Sequence, residues 1–455
     1  MKPQGPELLS LAAFTADLRQ MLQRTFRLVH WRVWQGRLAI WLGAALLSLT
    51  IIAFSTLVDR GTSLFFLLRE SWPYIPFLLT PLGGMAVVWL TQRYFAGAEG
   101  SGIPQTIAAL KAHGNSRVES GLVSLRIVVA KVVLGAAALC CGFSAGKEGP
   151  SVQIGASIML ACKKILPAHI PLRSEHLLLA GGAAGIAVAF NTPIAGIVFA
   201  IEELGRRFDR QTNIVLLSAI IVACAISISH WGNFTYFGRL AVGDSTRQLL
   251  LPILILGIVG GVLGGLFSRL MIMGSHPSLT IIGRLRGAHP VWFAGACGLG
   301  VAVLGFLSDG LIHGGGYLVT RSALEGGATL PLPFALEKMA ATLLSYFAGI
   351  PGGVFAPCLT VGAAIGQELH GLGWAGAGMD VWMALGMVAF LAGVTQVPIT
   401  AFVIVMEMID GHSLVLSLIS VALLASMVAK IFSQAPYHAL ARQFLLGARA
   451  RAAKD

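Results

Sequence analysis

Charge is the scarcest commodity in this sequence. Only 11% of the 455 residues are Asp, Glu, Lys or Arg, under half of the roughly 25% usual in a soluble protein. A water-soluble globular domain is excluded on that ground. Cysteine is also sparse. The six (Cys140, Cys141, Cys162, Cys224, Cys297 and Cys358) lie in or beside apolar runs, and none has paired metal spacing. They read as small buried hydrophobes. The 11 histidines form neither H-E-x-x-H nor H-x-x-E-H, so no metal is expected. A phosphate loop is missing too. Gly142–Lys147 has three residues between its glycines rather than four, and Glu148 stands where Ser or Thr belongs; an ATP-driven pump is rejected. No serine with a partner histidine stands out in a span, which argues against an intramembrane hydrolase. The net charge is +12, but the basic residues gather at the chain ends and in short loops, so nucleic acid is not the expected partner.

What is abundant is apolar sequence: 56% of residues are hydrophobic. Uncharged runs of the length that crosses a bilayer, about 20 residues, include Leu38–Leu57, Leu177–Ile201, Gln248–Ser268, Met339–Gln367 and Val381–Met406. The chain is expected to be an all-α polytopic membrane protein. Lys and Arg in residues 1–37 and after Lys430 put both ends in the cytoplasm by the positive-inside rule, in the bacterial inner membrane. Residues 1–37 read as an amphipathic helix on the inner surface, 38–231 as a first membrane repeat, 232–247 as a polar linker, 248–436 as a second repeat, and 437–455 as a last helix with a basic tail. The repeat rests on three matches in the same order. Pro150-x4-Gly155-Ala156 matches Pro357-x4-Gly362-Ala363, Thr192-Pro193-Ile194 matches Val397-Pro398-Ile399, and Gly100-x-Gly102 matches Gly314-x-Gly316; the offsets are 207, 205 and 214. Repeats with broken helices meeting at midplane are the plan of secondary transporters. Leu177–Ile201 is expected to break into two helices, and residues 121–146 to form a span interrupted by Arg126 and Lys131.

The chemistry is expected around Gly142–Ala156, where Lys147 and Glu148 lie deep in apolar sequence. A charge at that depth is costly and usually functional. Gly149-Pro150 reads as a helix start, and free N–H groups there bind anions. Two more glycine breaks, at Gly100–Ile103 and Gly349–Pro357, also feed helix starts. Converging N-termini make an anion site without a full positive charge, which lets the ion leave again. Ser101 and Tyr437 add hydroxyl donors.

G-S-G-I-P at 100–104, G-K-E-G-P at 146–150, G-V-F-A-P at 353–357 and the late Tyr437 resemble the signature of the CLC chloride channels and chloride/proton antiporters, over about Leu38 to Leu446. The resemblance implies a CLC-type fold of two inverted-topology repeats of tilted and broken helices, and a homodimer with one pore per subunit in the lipid bilayer. It implies that Ser101 and Tyr437 are side chains of a central chloride site, with backbone N–H groups of Val354 and Phe355, joined by Gly149 and Ala356. Glu148 resembles the gating glutamate and Glu203 the internal proton-transfer glutamate of the antiporters. Chloride ions and protons are then the substrates, with no cofactor. The alternative is a passive voltage- or pH-gated chloride channel; channel members lack the acid at the Glu203 position. A fluoride exporter fits the G-S-G-I-P pattern less well. Lys147 stands where many relatives have arginine.

Burial disfavours an ionised carboxylate and a helix N-terminus favours it. Glu148 is subject to both, so nearby chloride can switch its protonation. Ionised, it plugs the chloride site; protonated, it swings out and admits the ion. Plainer readings stand beside these. Glu148 pairs with Lys147 or Lys131; Glu202 and Glu203 neutralise Arg206 and Arg207; Glu407 is structural; Lys131 and Arg126 snorkel. Lys147, Glu202 and Lys131 are therefore held as modulators.

Overall fold

The computed structural model describes residues 31–112, 114–166, 172–205, 210–232, 234–238, 240, 249–276, 280–373 and 377–453. Among them regular structure is helical, with one isolated antiparallel bridge between Gly146 and Gly353. The protein opens with α1 (Trp31–Ser71) and α2 (Pro76–Tyr94). At 41 residues α1 is about 60 Å long, twice the hydrocarbon thickness, so it tilts or projects beyond the bilayer. It runs through residues 37 and 38 without a break, so the surface helix expected over 1–37 has no separate end there. Residues 1–30 lie outside the described set.

Short helices follow: α3 (Ile103–Leu110), α4 (Ser116–Leu122), α5 (Leu125–Cys140), α6 (Glu148–Ala161), α7 (Ser174–Phe190), α8 (Pro193–Phe199), then α9 (Arg210–Trp231). The second half supplies α10 (Leu250–Ser275), α11 (Ile281–Ala288), α12 (Pro290–Leu307), α13 (Tyr317–Leu324), α14 (Phe334–Ala348), α15 (Phe355–His370), α16 (Met379–Thr395), α17 (Pro398–Met408) and α18 (Val415–Phe432), closed by α19 (Pro436–Ala452). Six described helical stretches, one of them α4 and α5 together (Ser116–Cys140), are long and apolar enough to cross a membrane.

Several expected elements are corrected. Leu177–Ile201 divides into α7 and α8, and Met339–Gln367 into α14 and α15 at the Gly349–Pro357 break, as expected; Val381–Met406, which composition alone presents as continuous, divides into α16 and α17. The cause is local chemistry. Asn191 and Gln396, at matching places in the halves, adopt left-handed conformations (φ 55° and 59°) that end α7 and α16. Pro193 and Pro398 then start the next helix, where a missing N–H costs nothing. Arg126 and Lys131 do not interrupt their span, since α5 runs unbroken from Leu125 to Cys140.

The repeat has a packing signature. A Cβ on Gly155 of α6 would stand 2.2 Å from the carbonyl oxygen of Gly181 on α7, and one on Gly362 of α15 would stand 2.3 Å from that of Gly386 on α16. Backbone meets backbone at both places, as small residues allow between membrane helices. These two glycine contacts hold α6 and α15, the helices that aim at the centre.

Candidate functional site

Three glycine hinges meet, as their sequence suggested. The Gly100 N–H donates to the Ile350 carbonyl (3.1 Å), and the Gly352 N–H returns a bond to the Gly100 carbonyl (3.2 Å). Gly146 and Gly353 exchange bonds of 2.8 and 2.7 Å. Ser101 is pressed against Gly149, where a Cβ would lie 2.3 Å from the serine Oγ. The first turns of α3, α6 and α15 thus face one small volume. Neither Lys147, the N-cap of α6, nor Val354, the N-cap of α15, makes a side-chain cap, and uncapped first turns present N–H groups outward.

Glu148 is the first residue of α6 and is wholly buried. Its carboxylate folds back onto the helix ends, against its own backbone N–H and that of Ala356 in the first turn of α15. Oε2 occupies the space where a side chain on Gly146 would begin, since a Cβ there would fall 2.1 Å away. Oε1 accepts a 2.5 Å hydrogen bond from the hydroxyl of Tyr317. Neither lysine pairs with it. The Lys147 ammonium reaches Asp59 of α1 at 3.1 Å. Lys131 donates to the Gly100 carbonyl at 2.6 Å. Lys131 is fully enclosed, so the snorkelling reading is corrected: it holds a hinge. Arg126 lies over the ring of Phe95 instead.

On the other side of Gly149 lie Ser101 and Tyr437, exposed by only 2% and 1%. The two hydroxyls are neighbours, yet among the described residues neither is satisfied by a hydrogen bond of good geometry. Buried hydroxyls without partners are uncommon, and two facing the same volume suit an anion as acceptor. The Tyr437 ring stacks on Phe355 (5.9 Å between centroids, 6° between planes), and Phe355 also touches Phe190 and Phe199. Apolar walls strengthen polar contacts inside them.

Glu203 is buried at 2% exposure and acts electrostatically on the Tyr437 hydroxyl. It sits in a π-turn, Ala200–Leu204, that ends α8. Such turns recur at functional sites. Its neighbour Glu202 points elsewhere, accepting from the Ile399 and Thr400 N–H groups at the start of α17. Glu407 mirrors it on the Ile194 and Ala195 N–H groups of α8. The pairing of Glu202 with Arg206 and Arg207 lies outside the described residues; within them Glu202 is a helix cap, away from the centre.

Sequence reasoning missed Tyr317, Tyr236, Asp59 and Lys338. Tyr236 belongs to the polar linker 232–247, yet its ring packs on Tyr317 (4.9 Å) and its hydroxyl donates to the Ala189 carbonyl. Lys338 is the second-half counterpart of Lys131, donating to the Ile312 and Gly314 carbonyls at 2.7 Å each. The repeat held the signal for one of them: Lys338 matches Lys131 at the offset of 207.

A family profile described as "Voltage gated chloride channel" matches residues 83–430. The protein belongs to this family. Two curated members resemble it along most of their length. The H(+)/Cl(-) exchange transporter ClcA of Yersinia pestis bv. Antiqua (strain Angola) is 30% identical over 406 residues, 84% of this chain and 80% of that one. ClcA of Klebsiella pneumoniae (strain 342) is 29% identical over 389 residues, 81% and 78% respectively. The fold matches the crystal structure of a slow cyanobacterial Cl-/H+ antiporter, with a TM-score of 0.78 at 24% identity over 90% of this chain and 98% of that one. It also matches a CLC-type fluoride/proton antiporter, with a TM-score of 0.75 at 24% identity over 89% and 98%. The CLC fold of an integral membrane protein, expected from the four signatures, is therefore the fold found.

Proposed function

We propose that this protein is a secondary active transporter that exchanges chloride for protons across the membrane, without a cofactor. The observation that carries the reading is the place of the Glu148 carboxylate. It lies on the N-terminal turns of α6 and α15, where a halide ion would be held, with the Ser101 and Tyr437 hydroxyls next along the path. Carboxylate and chloride then exclude one another. Chloride displaces the side chain, the freed carboxyl takes up a proton, and its return releases chloride. Each cycle moves the two ions in opposite directions. Val354, Phe355, Gly149 and Ala356 contribute backbone N–H groups or room for the ion, and Glu203 passes protons between Glu148 and the cytoplasm. Glu203 acts on the Tyr437 hydroxyl, and water carries the proton between it and Glu148.

The acid at Glu203 favours coupled exchange over the passive channel, as do the exchangers among the relatives. The subunits pair as homodimers, each with its own pore, in the bacterial inner membrane. Both termini face the cytoplasm, as their Lys and Arg residues favour. The test is flux in reconstituted vesicles: an imposed proton gradient drives chloride uptake against its own gradient. A gradient that moves no chloride, with passive chloride leak retained, would select the channel.

A further inference from the structure

The gating carboxylate does not rest on helix ends alone. We propose that Tyr317 is a positioning residue for the gate, a latch whose hydroxyl holds ionised Glu148 in the plugged state and thereby sets how readily chloride and protons displace it. The inference rests on the gate reading above.

The latch is built from the fourth glycine hinge. Gly314-Gly315-Gly316 leads into α13, and Tyr317 is its first residue. The hinge is anchored on the site from both sides. The Gly314 N–H donates to the Phe143 carbonyl at 3.1 Å, and Gly316, with φ of 85°, is packed so closely on Thr360 of α15 that a Cβ would collide with it. Lys338 fixes the Gly314 carbonyl from behind. The Tyr317 ring packs against Tyr236 at 4.9 Å and Phe237 at 5.7 Å, and Tyr236 is itself tied to Ala189. The ring is therefore held against an aromatic wall, with its hydroxyl on Glu148. Its bond to Oε1, at 2.5 Å, has the length of an O–H···O⁻ bond to a charged acceptor.

A donor of this kind stabilises the ionised carboxylate and not the swung-out acid. The bond must break before Glu148 leaves the helix ends. The groups facing Glu148 in the described structure are few. They are Lys147 beside it, Asp59 of α1 behind that lysine, and Tyr236 and Tyr317 across it. From α15 the contact is the Ala356 backbone N–H. Among these side chains, Tyr317 is the one with a hydrogen bond to the carboxylate.

Tyr317→Phe keeps the ring and removes the hydroxyl. In vesicles, with both ions recorded, this variant is expected to turn over roughly ten times faster at neutral pH, the scale of one charge-assisted hydrogen bond. The pH of half-maximal transport should move upward by about one unit, because less acid is needed to free an unlatched carboxylate. Exchange stoichiometry should stay as in the parent. In a Glu148→Ala background the same change should have no effect. A parent-like pH profile and turnover would overturn the proposal, and so would an equal effect in the Glu148→Ala background, which would mark a merely structural role. Tyr317→Leu, lacking the ring, must shift the profile in the same direction; a shift toward acid would also overturn it. Failure of the gate reading is distinguishable, since Glu148→Ala alone would then still exchange protons for chloride.

Discussion

Glu202 and Glu407 cap each other's half of the molecule. Glu202 ends the first repeat's broken helix and accepts from Ile399 and Thr400 at 3.0 and 2.6 Å; Glu407 ends the second's and accepts from Ile194 and Ala195 at 3.1 and 2.7 Å. Each carboxylate satisfies two N–H groups at the start of the opposite helix, a favourable place for negative charge. The two crossed caps fasten α8 to α17, and α8 leads directly into the turn that carries Glu203.

Removing one cap should therefore loosen the scaffold without touching the ion path. Glu407→Ala is expected to cost about 1–2 kcal/mol and to lower the thermal midpoint in detergent, while vesicle flux remains coupled. Loss of coupling with an unchanged midpoint would instead place Glu407 on the proton route.

Glu148→Ala should leave chloride moving and abolish coupled proton flux, because alanine can neither plug the helix ends nor carry a proton. Both ions are followed in the same vesicles. Retained proton pumping would remove Glu148 from the gate.

Glu203→Gln preserves shape and removes the titratable group. Proton transport should fall to background while chloride still passes. Normal coupling would assign the inner proton step to another residue.

Lys131→Met should act on the hinge. The Gly100 carbonyl would lose its buried ammonium donor, at a cost of about 1–3 kcal/mol. The adjacent Ser101 would lose its fixed position. Lower thermal stability together with weaker chloride binding by calorimetry is expected. Lower stability with unchanged affinity would confine Lys131 to a purely structural role.

Much of this arrangement could be read from local sequence because its parts are local. Glycine before proline marks a hinge and a helix start wherever it occurs, so Gly146–Pro150 and Gly349–Pro357 announced α6 and α15. Their duplication announced the repeat. Charge at membrane depth singled out Glu148. What could not be read was which distant groups meet. Tyr317 reaches Glu148 across 169 residues of sequence and Asp59 reaches Lys147 across 88, and neither tyrosine nor aspartate carries a local sign of such a role. The length of the Val381–Met406 run misled for a physical reason: its break is made by one residue with positive φ, Gln396, inside an otherwise apolar stretch, whereas the matching break was legible from Asn191-Thr192-Pro193. Local sequence suggests snorkelling for Lys131 because a buried ammonium needs an acceptor, and its acceptor is a carbonyl in another segment, that of Gly100.

The central claim is that carboxylate and chloride compete for the same helix ends, and proton release or uptake on chloride binding tests it most directly. Purified protein in weak buffer is titrated with chloride while free protons are recorded. The account predicts uptake of protons by the wild-type chain as chloride saturates, and none by Glu148→Gln. Chloride binding with no proton uptake at any pH, or equal uptake by Glu148→Gln, would contradict it.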